Sequence, residues 1–276
     1  MKWALVIGAA VLLALPSAAS AGNRVTYRDA TGDASTGNLD VSTVGLQVDN
    51  TGTRFSFTLA VPDLPPLPSD AFVYFALDTD DNQANGNGGG TDLVVKYDAS
   101  KGVFTYTKFD GGKPSFVKSE SDPALVTYTA STVTLVLDLT DLLHARILHF
   151  VVAAGRGATD ENLKGYDLVP DFGFGTFWIN PRVRFATAHF FPGFPRAGRL
   201  FEVPDVAIFL RTGEEVAPDS FTCRATLAGK KLAGKGDGGC RWRMPKNARS
   251  KRLVIRVNYR FQGVSGKTAA YDFRVG

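Results

Sequence analysis

With 276 residues, 44% of them apolar and 21% charged, and a formal net charge of +4 at pH 7, the chain has room for one large or two ordinary domains of roughly 100–200 residues each. After its first residues it holds no apolar run of the roughly 20 residues that a membrane-spanning helix needs. Only two cysteines are present, with no histidine near either, so the usual four-ligand zinc site is excluded.

Met1-Lys2-Trp3 precedes an apolar run from Ala4 to Leu15 and a small-residue ending at Ala19-Ser20-Ala21. A basic start, a short hydrophobic region and a small-x-small end are the parts of a secretory signal peptide. Residues 1–21 are therefore expected to be removed, leaving a secreted chain that begins at Gly22.

From Gly22 to Pro195 the chain carries 20 Asp and Glu against 13 Lys and Arg, a balance of −7. From Arg196 to Gly276 it carries 7 against 17, a balance of +10. So sharp a change of sign predicts two separately built units.

Almost every readable segment is a strand. Val44–Val48, Phe55–Leu59, Thr132–Leu137 and Leu253–Val257 alternate apolar and polar residues, the period of a half-buried strand. Asp49–Gly52, Ser100–Gly102 and Asp110–Gly112 separate strands with residues that tolerate positive φ. The one helical candidate, Leu139–Leu143, is a single turn. Short strands joined by glycine-rich turns predict an all-β chain built as antiparallel sandwiches. Residues 181–198, with three prolines and four phenylalanines, read as a connection. Strands are then expected near 201–211, 219–228, 238–244, 252–262 and 268–275.

The densest chemical signal follows the apolar run Phe72–Leu77. Side-chain oxygens recur at Asp78, Asp80 and Asn82, followed by a glycine-rich bend and Asp92. Such a loop can wrap several hard oxygens around one cation, and calcium takes 6–8 of them with relaxed geometry. It is not an EF-hand, because Gln83 and Gly89 stand where that loop needs Gly and Glu. The competing reading is a polar loop whose Asp and Asn side chains cap its own turns. Asp29, Asp33, Asp40, Asp167 and Asp171 either form a second calcium site or cap turns.

Three motifs in the first unit resemble secreted bacterial β-sandwiches of the DOMON and family 9 carbohydrate-binding-module type. They are the opening from Asp29 through Gly32-Asp33 to Asp40-Val41, the loop from Asp78 to Asp92, and Asp167-Leu-Val-Pro170-Asp171-Phe-Gly173. Asn85 and Asn87 stand where that family often has Thr and Asp. The resemblance implies a jelly-roll-like sandwich over residues 22–180 and binding rather than catalysis. Some DOMON domains hold haem through Met and His. The mature first unit has no methionine, and His144 and His149 would face opposite sides of one strand, which argues against that role.

Residues 199–276 resemble the short immunoglobulin-like modules that end many secreted actinobacterial proteins, through Thr222-Cys223, Cys240-Arg-Trp242 and Phe273-Arg-Val275. Two cysteines in an exported chain predict one disulfide, Cys223–Cys240. Their close spacing suggests neighbouring strands, with Trp242 covering the bridge.

Trp178 is the candidate platform for stacking on a sugar ring, with Tyr74, Tyr97, Tyr106 and Tyr128 as other available aromatics; core packing is the alternative fate of each. There is no Gly-x-Ser-x-Gly, His-Glu-x-x-His or P-loop, so no catalytic residue is assigned. A carboxylate pair of a glycosidase could still lie among the aspartates, because its spacing is spatial. Lys230, Lys231, Lys235, Arg241, Arg243, Lys246, Arg249, Lys251 and Arg252 give the second unit a basic face. On a secreted chain this suits anionic cell-wall polymer better than nucleic acid; a solvated face, or one that docks on the acidic unit, is the alternative. The expected function is non-catalytic binding of an extracellular glycan with a structural calcium. The alternative is a structural or adhesive surface protein retained on wall polymer.

Overall fold

The computed structural model describes residues 22–34, 37–62, 67–143 and 145–276 apart from 121–125, 130 and 158–165, with no side-chain description over 116–118, 120 and 126–129. The protein is all-β, and every strand pairing is antiparallel. The expected cleaved segment 1–21, and His144, lie outside the described residues.

The first sandwich contains β1 (Arg24–Arg28), β2 (Thr43–Val48), β3 (Arg54–Ala60), β4 (Ala71–Asp78), β5 (Leu93–Asp98), β6 (Val103–Asp110), β7 (Lys113–Glu120), β8 (Val126–Thr129), β9 (Thr132–Asp138), β10 (Ile147–Arg156), β11 (Asp167–Val169) and β12 (Gly175–Trp178). One sheet runs β1-β2-β3-β9-β8; the other runs β11-β10-β4-β5-β6-β7, with β12 also on β10. The chain thus lays three strands in one sheet and four in the other, returns for two, and crosses once more.

Period-2 patterning decides which face each strand buries. Phe55, Phe57 and Leu59 of β3 and Val73, Phe75 and Leu77 of β4 are buried, while their alternates are part-exposed. The two inner faces meet as rings: Phe57 and Phe75 lie 4.5 Å apart, Phe55 and Phe177 5.5 Å. Such pairs add about 0.5–1.5 kcal/mol to the burial itself. The single helical turn is a 3-10 turn over Leu139–Leu142.

The second sandwich contains β13 (Val183–Ala188), β14 (Leu200–Glu202), β15 (Val206–Leu210), β16 (Glu215–Val216), β17 (Ser220–Leu227), β18 (Lys230–Leu232), β19 (Arg241–Arg243), β20 (Arg252–Phe261), β21 (Val264–Lys267) and β22 (Tyr271–Arg274). Its sheets are β13-β15-β16, β14-β19 and β18-β17-β20-β21, with β22 also on β20. The core gathers Phe201, Trp242, Leu253, Ile255 and Val257.

Two features differ from the sequence expectation. The segment read as a connection supplies β13, which pairs with β15 at the edge of a three-stranded sheet, where a flanking proline interrupts no ladder. Phe190 from the same segment packs on Phe201 and Phe273 of the second core. The disulfide Cys223–Cys240 is present, with Cα atoms 4.9 Å apart. It links β17 to the lead-in of β19, which belong to different sheets, so it clamps the sandwich instead of joining adjacent strands. Trp242 is 1% exposed and shares the core cluster with both cysteines, as its i+2 spacing from Cys240 predicts.

Candidate functional site

β4 ends at Asp78, and the chain returns as β5 at Leu93. Between them the backbone folds into a compact loop on the sandwich rim. Asp78, Asp80 and Asp92 each present a carboxylate oxygen, and the three atoms lie within 4.8 Å of one another. Asp78 and Asp92 are buried and Asp80 is exposed. Two glycines make the return possible: a Cβ on Gly86 (φ +69) would sit 2.4 Å from the Thr91 carbonyl, and one on Gly90 (φ +84) 2.6 Å from Gln83 Cα.

The loop also caps itself. Asp78 Oδ1 accepts from the N–H groups of Asp80 (3.2 Å) and Asp81 (2.8 Å), and Asp92 Oδ2 accepts from Thr79 N and Oγ1 at 2.8 and 2.9 Å. The fourth nominated ligand, Asn82, turns its Oδ1 to the Ala84 N–H at 3.1 Å, and its own N–H donates to Asp80 Oδ1 at 3.0 Å. Asn85, which the sequence marked only as a departure from the family pattern, lies against Asp80: its Nδ2 donates to Asp80 Oδ2 at 2.7 Å, and its Oδ1 is buried with no partner among the described residues. A buried acceptor without a donor is what a metal would satisfy. Burial, then the nearby Asp80 and Asp78 charges, raises the pKa of Asp92 against the Thr79 hydrogen bonds. Three converging carboxylates fit a hard cation.

His149 braces this loop, a role no sequence pattern announces. From β10, paired with β4 at Asp78, its Nε2 lies 2.9 Å from Asp81 Oδ1 and its Nδ1 3.1 Å from Thr176 Oγ1.

The second set of aspartates also converges. Asp29, Asp167 and Asp171 form one group and Asp33, Asp40 and Asp167 another, each with oxygens within 4.8 Å. Asp167, 3% exposed on β11, is common to both. One oxygen of Asp40 caps the Gly32 N–H and one of Asp167 caps the Val41 N–H, both at 2.6 Å. Asp29 Oδ2 and Asp40 Oδ1 are buried and unpartnered among the described residues. Burial, reinforced by Asp167, Asp171 and Asp33, pushes Asp29 up to about 7; burial, with Asp33 and Asp40, pushes Asp167 up to about 6. The turn-capping alternative is seen for Asp40 and Asp167, and the same five side chains gather negative charge in one place.

Trp178 sits at the end of β12, half-buried among Ile208, Leu210, Tyr259 and Phe261 of the second unit. Its exposed side lines a cleft between the sandwiches. Of the other aromatics, Tyr97 and Tyr106 are in the core of the first sandwich and Tyr74 is part-exposed; the Tyr128 side chain is outside the described residues. In the basic face, Arg252 makes a fork to Asp272 at 2.6–3.1 Å and Arg241 bonds Glu202 at 2.6 Å. The other seven make no ion pair among the described residues.

No known family model matches the chain, and no curated protein matches it. No helix among the described residues is long and apolar enough to cross a membrane.

Proposed function

We propose that this chain is a secreted, non-catalytic binding protein whose first sandwich is held at its rim by calcium and which recognises an extracellular glycan. The observation that supports it is the meeting of carboxylate oxygens of Asp78, Asp80 and Asp92 within 4.8 Å of one another. Calcium there is structural: it would neutralise a loop whose charges otherwise repel, and fix the strand ends that present the surface. The five-aspartate group around Asp167 has the same donor chemistry. The resemblance to carbohydrate-binding sandwiches supplies the ligand class, and an aromatic beside a cleft supports it.

The test is thermal unfolding of the mature chain in millimolar calcium and in chelator, beside D78A/D80A. Extracellular modules bind calcium at about 10⁻⁴–10⁻³ M, so the gain is about 1 kcal/mol, or about 2–4 °C in a chain of this size. A calcium-dependent rise that the variant loses supports the reading; identical melting in every condition removes it.

The second reading, a surface protein retained on anionic wall polymer, is supported by the seven side chains of the basic face that form no ion pair among the described residues. Retention of that kind collapses near 1 M salt, where the screening length is about 3 Å. Binding by ring stacking survives.

A further inference from the structure

The cleft beneath Trp178 has a volume of 550 Å³, within the roughly 300–1,000 Å³ of small-molecule pockets, which favour domain junctions. It is lined from both sandwiches. Arg146 and Trp178 come from the first; Arg182, Arg211 and Thr212 come from the second; Asn180 lies on the crossing segment. Among the described residues no carboxylate lines it. All three arginines are exposed, and among the described residues none forms an ion pair.

The cleft's backbone is fixed before any ligand arrives. The Ile179 N–H donates to the Arg146 carbonyl and the Arg211 N–H to the Arg182 carbonyl, both at 2.8 Å. Asn180 is held at φ +49, and its N–H is bonded to Asn23 Oδ1 at 3.0 Å. Asn23 itself is 2% exposed, and its amide donates to the Trp178 carbonyl. Preformed walls reduce the ordering cost of binding.

Three exposed arginines lining one cleft give it positive charge and forked donors matched to carboxylate or phosphate. An indole beside them offers an apolar face with little conformational freedom to lose. Asn180 and Thr212 add donors and acceptors of the kind that pair with hydroxyls. We propose that this cleft binds a short anionic saccharide, with the acid group held by Arg146, Arg182 and Arg211 and a sugar ring against Trp178. The inference rests on the glycan-binding reading above and gives it a place and a ligand charge. It does not depend on calcium.

The test is calorimetric titration of the full mature chain, in chelator, with a galacturonate trisaccharide, its methyl ester and a glycerol phosphate oligomer. The variants are R182Q/R211Q and, as a control for charge alone, R224Q/R256Q, a cross-strand pair on β17 and β20 outside the cleft. All four side chains are exposed, so folding is retained, as circular dichroism checks. Saturable one-to-one binding of an acidic probe is expected, weakened about tenfold or more by R182Q/R211Q because charge-assisted bonds are lost, and unchanged by R224Q/R256Q. Which acidic probe binds tells carboxylate from phosphate; the ester is expected to bind weakly. Equal losses in both variants, or no saturable binding of either acidic probe, overturn the proposal. Binding of the ester as tight as that of the acid, unaffected by R182Q/R211Q, also overturns it while leaving the glycan reading intact.

Discussion

The side-chain oxygen of Gln262 accepts a hydrogen bond from the Trp178 backbone N–H at 2.7 Å, tying the β20–β21 turn of the second sandwich to the last strand of the first. Gln262 spends three of its four polar groups across this junction and the fourth within its own unit. Its Nε2 donates to the Thr176 carbonyl at 3.1 Å, its N–H to Asp219 Oδ2 at 2.6 Å, and its carbonyl accepts from Arg24 N at 2.9 Å. It is 5% exposed and sits at φ +44, a conformation that non-glycine residues adopt only when surroundings hold them there.

Gln262→Ala therefore strands the Trp178 N–H at the junction, while the Thr176 carbonyl keeps the Tyr27 hydroxyl as a donor. A loss of about 1–3 kcal/mol is expected, the usual cost of a buried group left unsatisfied, read as a lower urea midpoint of the mature chain. An unchanged midpoint would show that water replaces the side chain and that the contact does not order the two units.

The aspartate cluster around Asp167 makes stability fall with rising pH in chelator. Asp29 at about 7 and Asp167 at about 6 both lie above the ordinary 3.8. Below about pH 4 these groups are protonated folded and unfolded, and their contribution is fully present. Between about 4 and 7 the unfolded chain gives up protons that the folded one keeps, so stability declines through that window. Asp29→Asn is expected to flatten the slope of denaturation midpoint against pH there, and calcium at neutral pH to restore what ionisation removed. A slope identical in wild type and variant would argue against burial of the charge.

Reducing Cys223–Cys240, or replacing both with Ala, releases a clamp between two sheets. With the cysteines 17 positions apart, the chain-entropy estimate is about 3 kcal/mol. The near-ultraviolet circular dichroism of Trp242 should weaken together with the urea midpoint, because its ring packs in the same cluster. A full loss of midpoint with an unaltered Trp242 signal would place the effect in the unfolded state alone.

Gly175 opens β12 under the ring of Phe150, and a Cβ there would lie 2.2 Å from Phe150 Cζ. Phe150 is fully buried and cannot swing aside. Gly175→Ala is expected to cost about 1–3 kcal/mol by overpacking, while Gly193→Ala, with nothing within 4 Å, leaves the midpoint near wild type. Equal midpoints would mean that β12 shifts outward without cost.

Strand identity was legible wherever period 2 was clean: β2, β3, β9 and β20 lie where alternation puts them, because each has one buried face. The segment carrying β13 was not legible, since a short edge strand between prolines has the composition of a linker. Asp78, Asp80 and Asp92 could be nominated from spacing alone, whereas Asn85 and His149 could not. Asn85 matters through an orphaned oxygen that exists only once the loop closes, and His149 reaches Asp81 across 68 residues of chain through the β4–β10 ladder.

The sequence by itself determined the all-β class, the two units of opposite charge, the one disulfide and the acidic loop. These are local or compositional properties, written in residue periodicity, spacing and counts. Only the tertiary structure decided that five aspartates from two stretches far apart in the chain meet at Asp167. It alone decided that the disulfide joins two sheets and that three arginines from two units face one cleft beside Trp178. Each depends on strand order and on how the sandwiches pack, and buried apolar faces fix those without leaving a mark at the residues they bring together.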